Sequence, residues 1–450
     1  MLSSHQADTA PKRDAAILRC GVVGLCLLFG YYLIYIFHRI DHGSWATHVG
    51  FGDFPTFYDA GRAVLRHSDP YIPEPEGMSY VYPPMFAVLF APLSKLSPSH
   101  AAKVFVLINL AAALAALLIG AKEMLRRFGA PVAAPGICAV ALMAGLLAEN
   151  DLRGELQQME TDVLMLLMFT LSLHWLDRKP FRGGGALAFA ANIKYLSLIA
   201  LPYLLLRRRW KAAGGLVGWT IAFGLLPAFV LGWKENLRCL RVAVGGLLGW
   251  VAKHAPGIPV AQVHGIADGL SVSITSAIAR QLRYQHLSQS YALVIAAGIG
   301  LVLLVIAWAV YRHHRLPMWK WPYAAAQESP PYLGLVALEW AALVVVALAF
   351  SPNTNTRHLS MVALIYTGAA AMLLVPRPNV PRWPLLAGTV VLFVGLILPT
   401  PMLTRYPFGK AYFRWSVCSW ALLAMYAGML VTGLHYVRAS GRHSLGSAGG

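Results

Sequence analysis

Asp53 stands in Gly52-Asp53-Phe54-Pro55, just after the first long apolar run of the chain and among aromatic residues and prolines. Asp59 follows in TFYDAGRAVLR, a predicted short helix on which Tyr58, Arg62 and Leu65 share one face. Asp59 and Arg62 have the i, i+3 spacing of an ordinary helix-surface pair. Asp53 has two readings. It is an N-cap accepting backbone N–H groups, or a carboxylate at the lip of an apolar cavity that takes the proton of an attacking hydroxyl. One carboxylate suffices for an inverting sugar transfer, because the opposite face of the sugar needs only a good leaving group. If that group is a lipid phosphate, cations must meet the departing charge in place of a general acid.

Such cations are present. Lys194 interrupts the apolar run ALAFAANIKYLSLIALPYLLL, where a lysine either snorkels to the headgroups or faces a cavity. Arg357 and His358 follow SPNTNT at the end of an apolar segment. They either anchor a helix end or face the same cavity as Asp53. Glu339, beside Trp340 within a span, is expected to pair with a basic residue on another helix. Tyr71, Tyr80, Tyr82, Pro83 and Pro84 make an aromatic and proline rim. Interfacial aromatics are common, and this rim would also suit a sugar face or a polyprenyl chain. No glycine-rich phosphate loop, HExxH, GxSxG or CxxC occurs in the chain.

The elements that must hold these residues are set by hydropathy. The 450 residues are 58% hydrophobic and 12% charged, with a mean hydropathy of +0.58, against about 25% charged in ordinary soluble proteins. Apolar runs long enough to cross a hydrocarbon core of about 30 Å recur throughout. The expected fold class is an all-α polytopic membrane protein, one integral domain over residues 1–450. The net charge of +18 falls in short loops, the positive-inside pattern, and does not call for nucleic acid. The five cysteines are scattered without metal or disulfide spacing. The stretch MLSSHQADTAPKRDAA is too polar for a cleavable signal, so residues 16–37 are expected to be a retained first span.

Basic links at 311–320 and 375–383 and a basic tail at 437–443 are placed inside. That assignment puts both termini in the cytoplasm and expects about ten full spans. Two pieces, 83–96 and 184–206, are expected to reach only half depth, because broken helices are tolerated where they line protein or a watery cavity. The outer face then carries loop 39–82 (39–100 with its half-depth piece), the segment 149–162, and a second large loop, 233–287, with an amphipathic stretch IADGLSVSITSAIARQL. Eleven of the 19 acidic residues lie in 39–82 and 149–162. They are either a solvated face or a reactive one.

The ordered set DFPTFYDAGRAVLRHSDPY, then YVYPPMFAVLFAPLSKLS, then Asn109 in the next span resembles the N-terminal signature of glycosyltransferase family 87, within the GT-C superfamily. NIKYLSLIALPYLLLRRRWKAA and SPNTNTRHLSMVAL resemble two further blocks of that family. The resemblance implies a GT-C bundle in a bacterial inner membrane, with its site on the non-cytoplasmic side. It implies a hexosyltransferase, most simply a mannosyltransferase, using a polyprenyl-phosphate sugar and a lipid or glycan acceptor. It makes Asp53 the catalytic base and matches Tyr82, Lys194 and His358 to the family's tyrosine, lysine and histidine, the last two as partners of the donor phosphate; beside them Arg357 is expected on the donor phosphate and Tyr58 and Arg62 about the substrate. No cofactor is implied, although a divalent cation is compatible with the chemistry. The chain departs from the family at Met159-Glu160-Thr161-Asp162, where Gly-Gln-x-Asn is common, and at Asp268-Gly269-Leu270-Ser271, where Asn-Gln-Ser is common. These departures bear on the acceptor and the sugar and leave the base untouched. Two rivals remain: a flippase or transporter of lipid-linked sugars, and an inactive scaffold of the same fold.

Overall fold

The computed structural model describes residues 4–72, 80–249, 265–319, 321, 332–352, 354–375, 377–397 and 407–446. Among them the chain is helical, with two isolated β-bridges, Ser44 with Val49 and Ser271 with Asn355. In chain order, α1 (Ser4–Asp41) is followed by the short α2 (Phe54–Leu65) and α3 (Pro84–Phe90), then α4 (Pro98–Arg127). Next come α5 (Ala134–Leu147), α6 (Glu149–Gln158), α7 (Asp162–Trp175), α8 (Pro180–Ala191) and α9 (Ala200–Leu206). The middle of the chain forms α10 (Trp210–Leu225), α11 (Ala228–Leu231), α12 (Trp233–Gly249), α13 (Ile274–Tyr284) and α14 (Tyr291–His313). The last helices are α15 (Leu333–Phe350), α16 (Val362–Leu374), α17 (Trp383–Ile397), α18 (Pro407–Trp415) and α19 (Val417–Gly446).

Among the described residues, six helical stretches are long and apolar enough to cross a membrane: Lys12–Asp41, α4, Trp210–Leu231, α14, α15 and Val417–Val437. The polytopic helical class expected from hydropathy is the one observed. Of the other expected crossings, α7 and α17 are single helices of 14 and 15 residues, and His358–Leu374 is a short apolar helix as well. The remaining crossing, α5, runs into α6 through a bend of 70°, so that 149–158 turns aside from the bundle.

Contacts define two ends. At one end Arg126 and Arg127 both donate to Asp177, 2.7 Å in each case. There Arg207 pairs with Glu339 and donates to the Pro317 and Met318 carbonyls at 2.6 and 2.7 Å. Glu339 thus has the basic partner on another helix that its place inside a span demanded. The opposite end carries Asp53, Glu160, Ser271 and Thr354.

The segment after α7 shows why a lysine can sit within an apolar run. Lys179 N–H donates to the Trp175 carbonyl at the start of α8, and Arg209 donates to the Leu176 carbonyl after α9. Both ends of 180–206 therefore lie at the basic end. Between them α8 stops at Asn192, whose amide bonds the Ala188 and Thr220 carbonyls. Lys194 is extended, and a 3-10 turn at Tyr195–Ile199 leads back down. The pair α8 and α10 pack through glycines: a Cβ on Gly184 would come within 2.5 Å of the Leu216 nitrogen, and one on Gly215 within 2.5 Å of the Phe181 carbonyl oxygen. Small residues at such a contact let two backbones approach closely. The other half-depth piece is a bracket. At seven residues α3 is about 10 Å long, too short to cross. It lies against α2 through Phe57 on Phe86 and Phe90.

Candidate active site

Asp53 is placed by a close approach of two backbones. Gly52 has φ +56°, and a Cβ there would lie 2.5 Å from the Gln158 Cα. Only glycine adopts this conformation and this contact without strain. The Asp53 N–H then donates to the Gln158 carbonyl at 2.8 Å, so the end of α6 fixes the start of α2. Pro55 sits in the first turn of α2, where a missing N–H costs nothing. Asp53 occupies the N-cap position, yet its side chain makes no capping hydrogen bond. The N-cap reading of this carboxylate is therefore corrected. Its carboxyl group lies against that of Glu160.

Glu160 belongs to a turn. Met159 ends α6 in the left-handed region at φ 51°, and the chain reverses into α7 through Glu160 and Thr161. Lys194, at the break after α8, reaches this turn. Its Nζ lies 2.9 Å from Glu160 Oε2 and 2.5 Å from Asp162 Oδ2. It also lies 5.8 Å from the centre of the Tyr82 ring, close enough for a cation–π contact. Asp162 is anchored in turn, since its N–H donates to Glu155 Oε1 at 2.7 Å. Glu160, Asp162 and Glu155 are at most 5% exposed. Burial by itself would raise Glu160 above the usual carboxylate range. The Lys194 charge, the hydrogen bond with Asp53 and the nearby His358 outweigh burial and hold it well below. Glu155 goes the other way, raised first by burial and then by the charges of Asp162 and Glu160.

His358 is delivered by the 3-10 turn Thr356–Met361. This turn is braced by the segment that opens α13. Val272 N–H donates to the Thr354 carbonyl at 2.7 Å, and Thr354 N–H to Ser271 Oγ at 3.1 Å. Thr275 and Ser276 hydroxyls donate to the Phe350 and Pro352 carbonyls at 2.8 and 2.9 Å. The amphipathic stretch predicted from Ile266 is helical from Ile274 onward, with Ser273 as its N-cap. Buried Arg280 ties α13 to α18, donating to the Ser271 carbonyl at 3.0 Å and to Ser416 Oγ at 2.9 Å. The departure at Asp268–Ser271 thus falls in the scaffold of the histidine.

Among the residues singled out from the sequence, Asp53, Tyr82, Lys194 and His358 come together around Glu160. Tyr82 is held by its neighbours: Tyr71 donates to its carbonyl at 2.7 Å, and Tyr80 donates to the Pro83 carbonyl at 2.8 Å. The Tyr58 hydroxyl donates to the Leu96 carbonyl at 2.8 Å, and Arg62 lies 5.9 Å over the Tyr58 ring. Tyr58 thereby braces α2 against residues 93–96, and the Ser94 hydroxyl donates back to the Tyr58 carbonyl. The side chain of Arg357 and the loop residues 73–79 and 250–264 lie outside the described part of the chain. Away from the site, Asp69, Glu235 and Cys239 have the spacing of metal ligands. Arg238 already bridges the two carboxylates at 2.8 and 2.5 Å.

Reasoning from sequence missed Glu160 and Asp162 as members of the site. The available signal was two acids astride the start of an apolar helix, on the face that carries Asp53. A buried lysine held by carboxylates, next to a further carboxylate and a histidine, marks one end of this polytopic helical bundle as its candidate site. The profile of glycosyltransferase family 87 matches residues 80–326, more than half of the chain, and the chain belongs to that family. The match takes in Tyr82, Glu160, Asp162 and Lys194, while Asp53 and His358 lie on either side of it. No curated protein matches the chain.

Proposed function

We propose that this membrane glycosyltransferase moves a hexose, most simply mannose, from a polyprenyl-phosphate sugar to a lipid or glycan acceptor on the outer face of a bacterial inner membrane, with both termini in the cytoplasm. The observation that carries the reading is the meeting of Asp53, Lys194 and His358 around one buried turn. In the reaction the acceptor hydroxyl gives its proton to Asp53. Its oxygen bonds to the anomeric carbon, and the bond from that carbon to the phosphate oxygen breaks with its electron pair. The configuration inverts, and polyprenyl phosphate departs as an anion. An ammonium has three N–H donors. Lys194 directs two of them to Glu160 and Asp162 and has a third for a phosphate oxygen. His358 and Arg357 supply the rest of the positive charge that the leaving group requires.

The test is transfer from a polyprenyl-phosphate sugar in proteoliposomes. Asp53→Asn removes the base and keeps the volume, so transfer is expected to fall by a factor of about 100 to 10,000 while the thermal midpoint stays at the wild-type value. Retained transfer by this variant would sink the mechanism. Lipid and glycan profiling of a deletion strain then identifies the acceptor through the product that disappears.

A further inference from the structure

We propose that the apolar gap between α14 and α15 holds the acyl chain of an anionic phospholipid, whose phosphate rests on Arg208 and Arg312 at the basic end of the bundle. Such a site is independent of the sugar that the protein transfers.

The helix α14 stands apart from the bundle over much of its length. It is the most apolar of the six candidate spans, yet only Ala292 and Ala296 are buried along it. The residues from Leu301 to Ala309 are all exposed. They make about two and a half turns, so every face of the helix is bare there, including the one toward α15. Both ends are nonetheless tied to α15. At the basic end the Tyr311 hydroxyl donates to Glu339 Oε1, and Arg207 donates to both residues. At the other end Ala292 packs with Ala279 and Leu282 of α13. The Thr275 hydroxyl of α13 donates to the Phe350 carbonyl, the last of α15, at 2.8 Å. Between these ties Leu343, Val346 and Phe350 follow Glu339 along one face of α15 at helical spacing. Most of α15 is buried, but Val346 is 40% exposed and Leu343 and Phe350 are half-buried. The face of α15 that starts at the contact with α14 is therefore left uncovered above it.

The gap is lined by hydrocarbon on both sides, and such a space takes up hydrocarbon rather than water. The ties at its two ends decide what kind. A helix of a second copy, about 10 Å across, cannot pass through the ring closed by α13, α14, α15 and Tyr311. A single acyl chain can enter it from the side. Charge decides the headgroup. Arg312 is exposed, and its guanidinium lies 5.4 Å over the ring of exposed Trp308. Arg208, also exposed, follows Arg207, which itself lies over the Tyr311 ring. Glu339, the carboxylate at this point, is already paired with Arg207. Arginines and an indole at the basic mouth of a groove between two spans are the chemistry that holds an anionic lipid phosphate. A polyprenyl-phosphate donor would carry its phosphate at the opposite end, beside Lys194.

The test uses purified full-length protein, stripped of lipid in detergent and titrated with phosphatidylglycerol or phosphatidylcholine under native mass spectrometry. A phosphatidylglycerol should be retained on each chain, and phosphatidylcholine should bind about tenfold more weakly. Arg208→Gln combined with Arg312→Gln should weaken phosphatidylglycerol by about tenfold or more. Both arginines are exposed, so the thermal midpoint of this variant in detergent alone should stay at the wild-type value. Val346→Trp, which fills the gap from α15, should weaken both lipids. Val394→Trp, on an exposed face of α17, should weaken neither. Wild-type retention of phosphatidylglycerol by the arginine variant, or by a folded Val346→Trp, overturns the proposal. Should Val346→Trp fail to fold, the arginine variant decides alone. A dimer that forms only without the lipid, or a polyprenyl phosphate that displaces it one for one, would give the gap another occupant and overturn the proposal as well.

Discussion

At the scale of single residues, the site is a problem in charge placement. Lys194 is in an apolar run because two buried carboxylates meet it. Isolated, either kind of charge would be costly to bury, and removing one partner of such a group leaves the others uncompensated. Lys194→Met should therefore destabilise the protein by about 3–5 kcal/mol, read as a lower thermal midpoint in detergent. Adding Glu160→Gln and Asp162→Asn should recover part of that loss. If Lys194 were a snorkelling residue, the single variant would leave the midpoint in place. The acids of 149–162 also divide at this scale. Glu149 pairs with Arg153 on the exposed face of α6, both about one-third exposed, whereas Glu155, Glu160 and Asp162 are buried in the site.

At the scale of elements, short pieces and breaks do the positioning. The contact between Gly52 and Gln158 links the loop ahead of α2 to the end of α6, and the break at Asn192–Lys194 brings a lysine to the same turn. Gly52→Ala would add a Cβ 2.5 Å from the Gln158 Cα and force a left-handed φ on alanine. Strain of this kind costs about 1–3 kcal/mol, and its simplest relief moves Asp53 away from Glu160. Transfer by Gly52→Ala should fall at least tenfold with KM little changed, measured beside Gly50→Ala, a positive-φ glycine whose own close contacts are with Arg39 and Gly43. Equal losses in both variants would mean general damage to the loop rather than displacement of the base.

At the scale of the whole molecule, the bundle separates the site from the cluster of Arg126, Arg127, Asp177, Arg207 and Glu339, and the proposed function puts the site outside and that cluster inside. Cysteine labelling checks this arrangement. In a cysteine-free background, an impermeant maleimide should label Ser68→Cys in intact cells. Arg315→Cys, at the basic end and also exposed, should be labelled only after the membrane is opened. The reverse pattern would turn the molecule over and place the site in the cytoplasm.

Hydropathy alone determined that this chain is a bundle of apolar helices, because only long apolar runs keep their backbone bonds satisfied in lipid. It also marked Lys194 and Glu339 as groups in need of partners, and the local pattern around Asp53 and Tyr82 was legible as a motif. The partners were not legible. Which carboxylates meet Lys194 depends on a bend of 70° between α5 and α6, on a left-handed Met159 and on the break after α8 at Asn192–Lys194. Periodicity registers a helix and its faces, and it carries no information on the angle at which two helices leave a break. Tertiary structure therefore decided that Glu160 and Asp162 are buried partners of a lysine, that Tyr58 braces a helix, and that the Asp53 side chain meets a second carboxyl in place of a helix end.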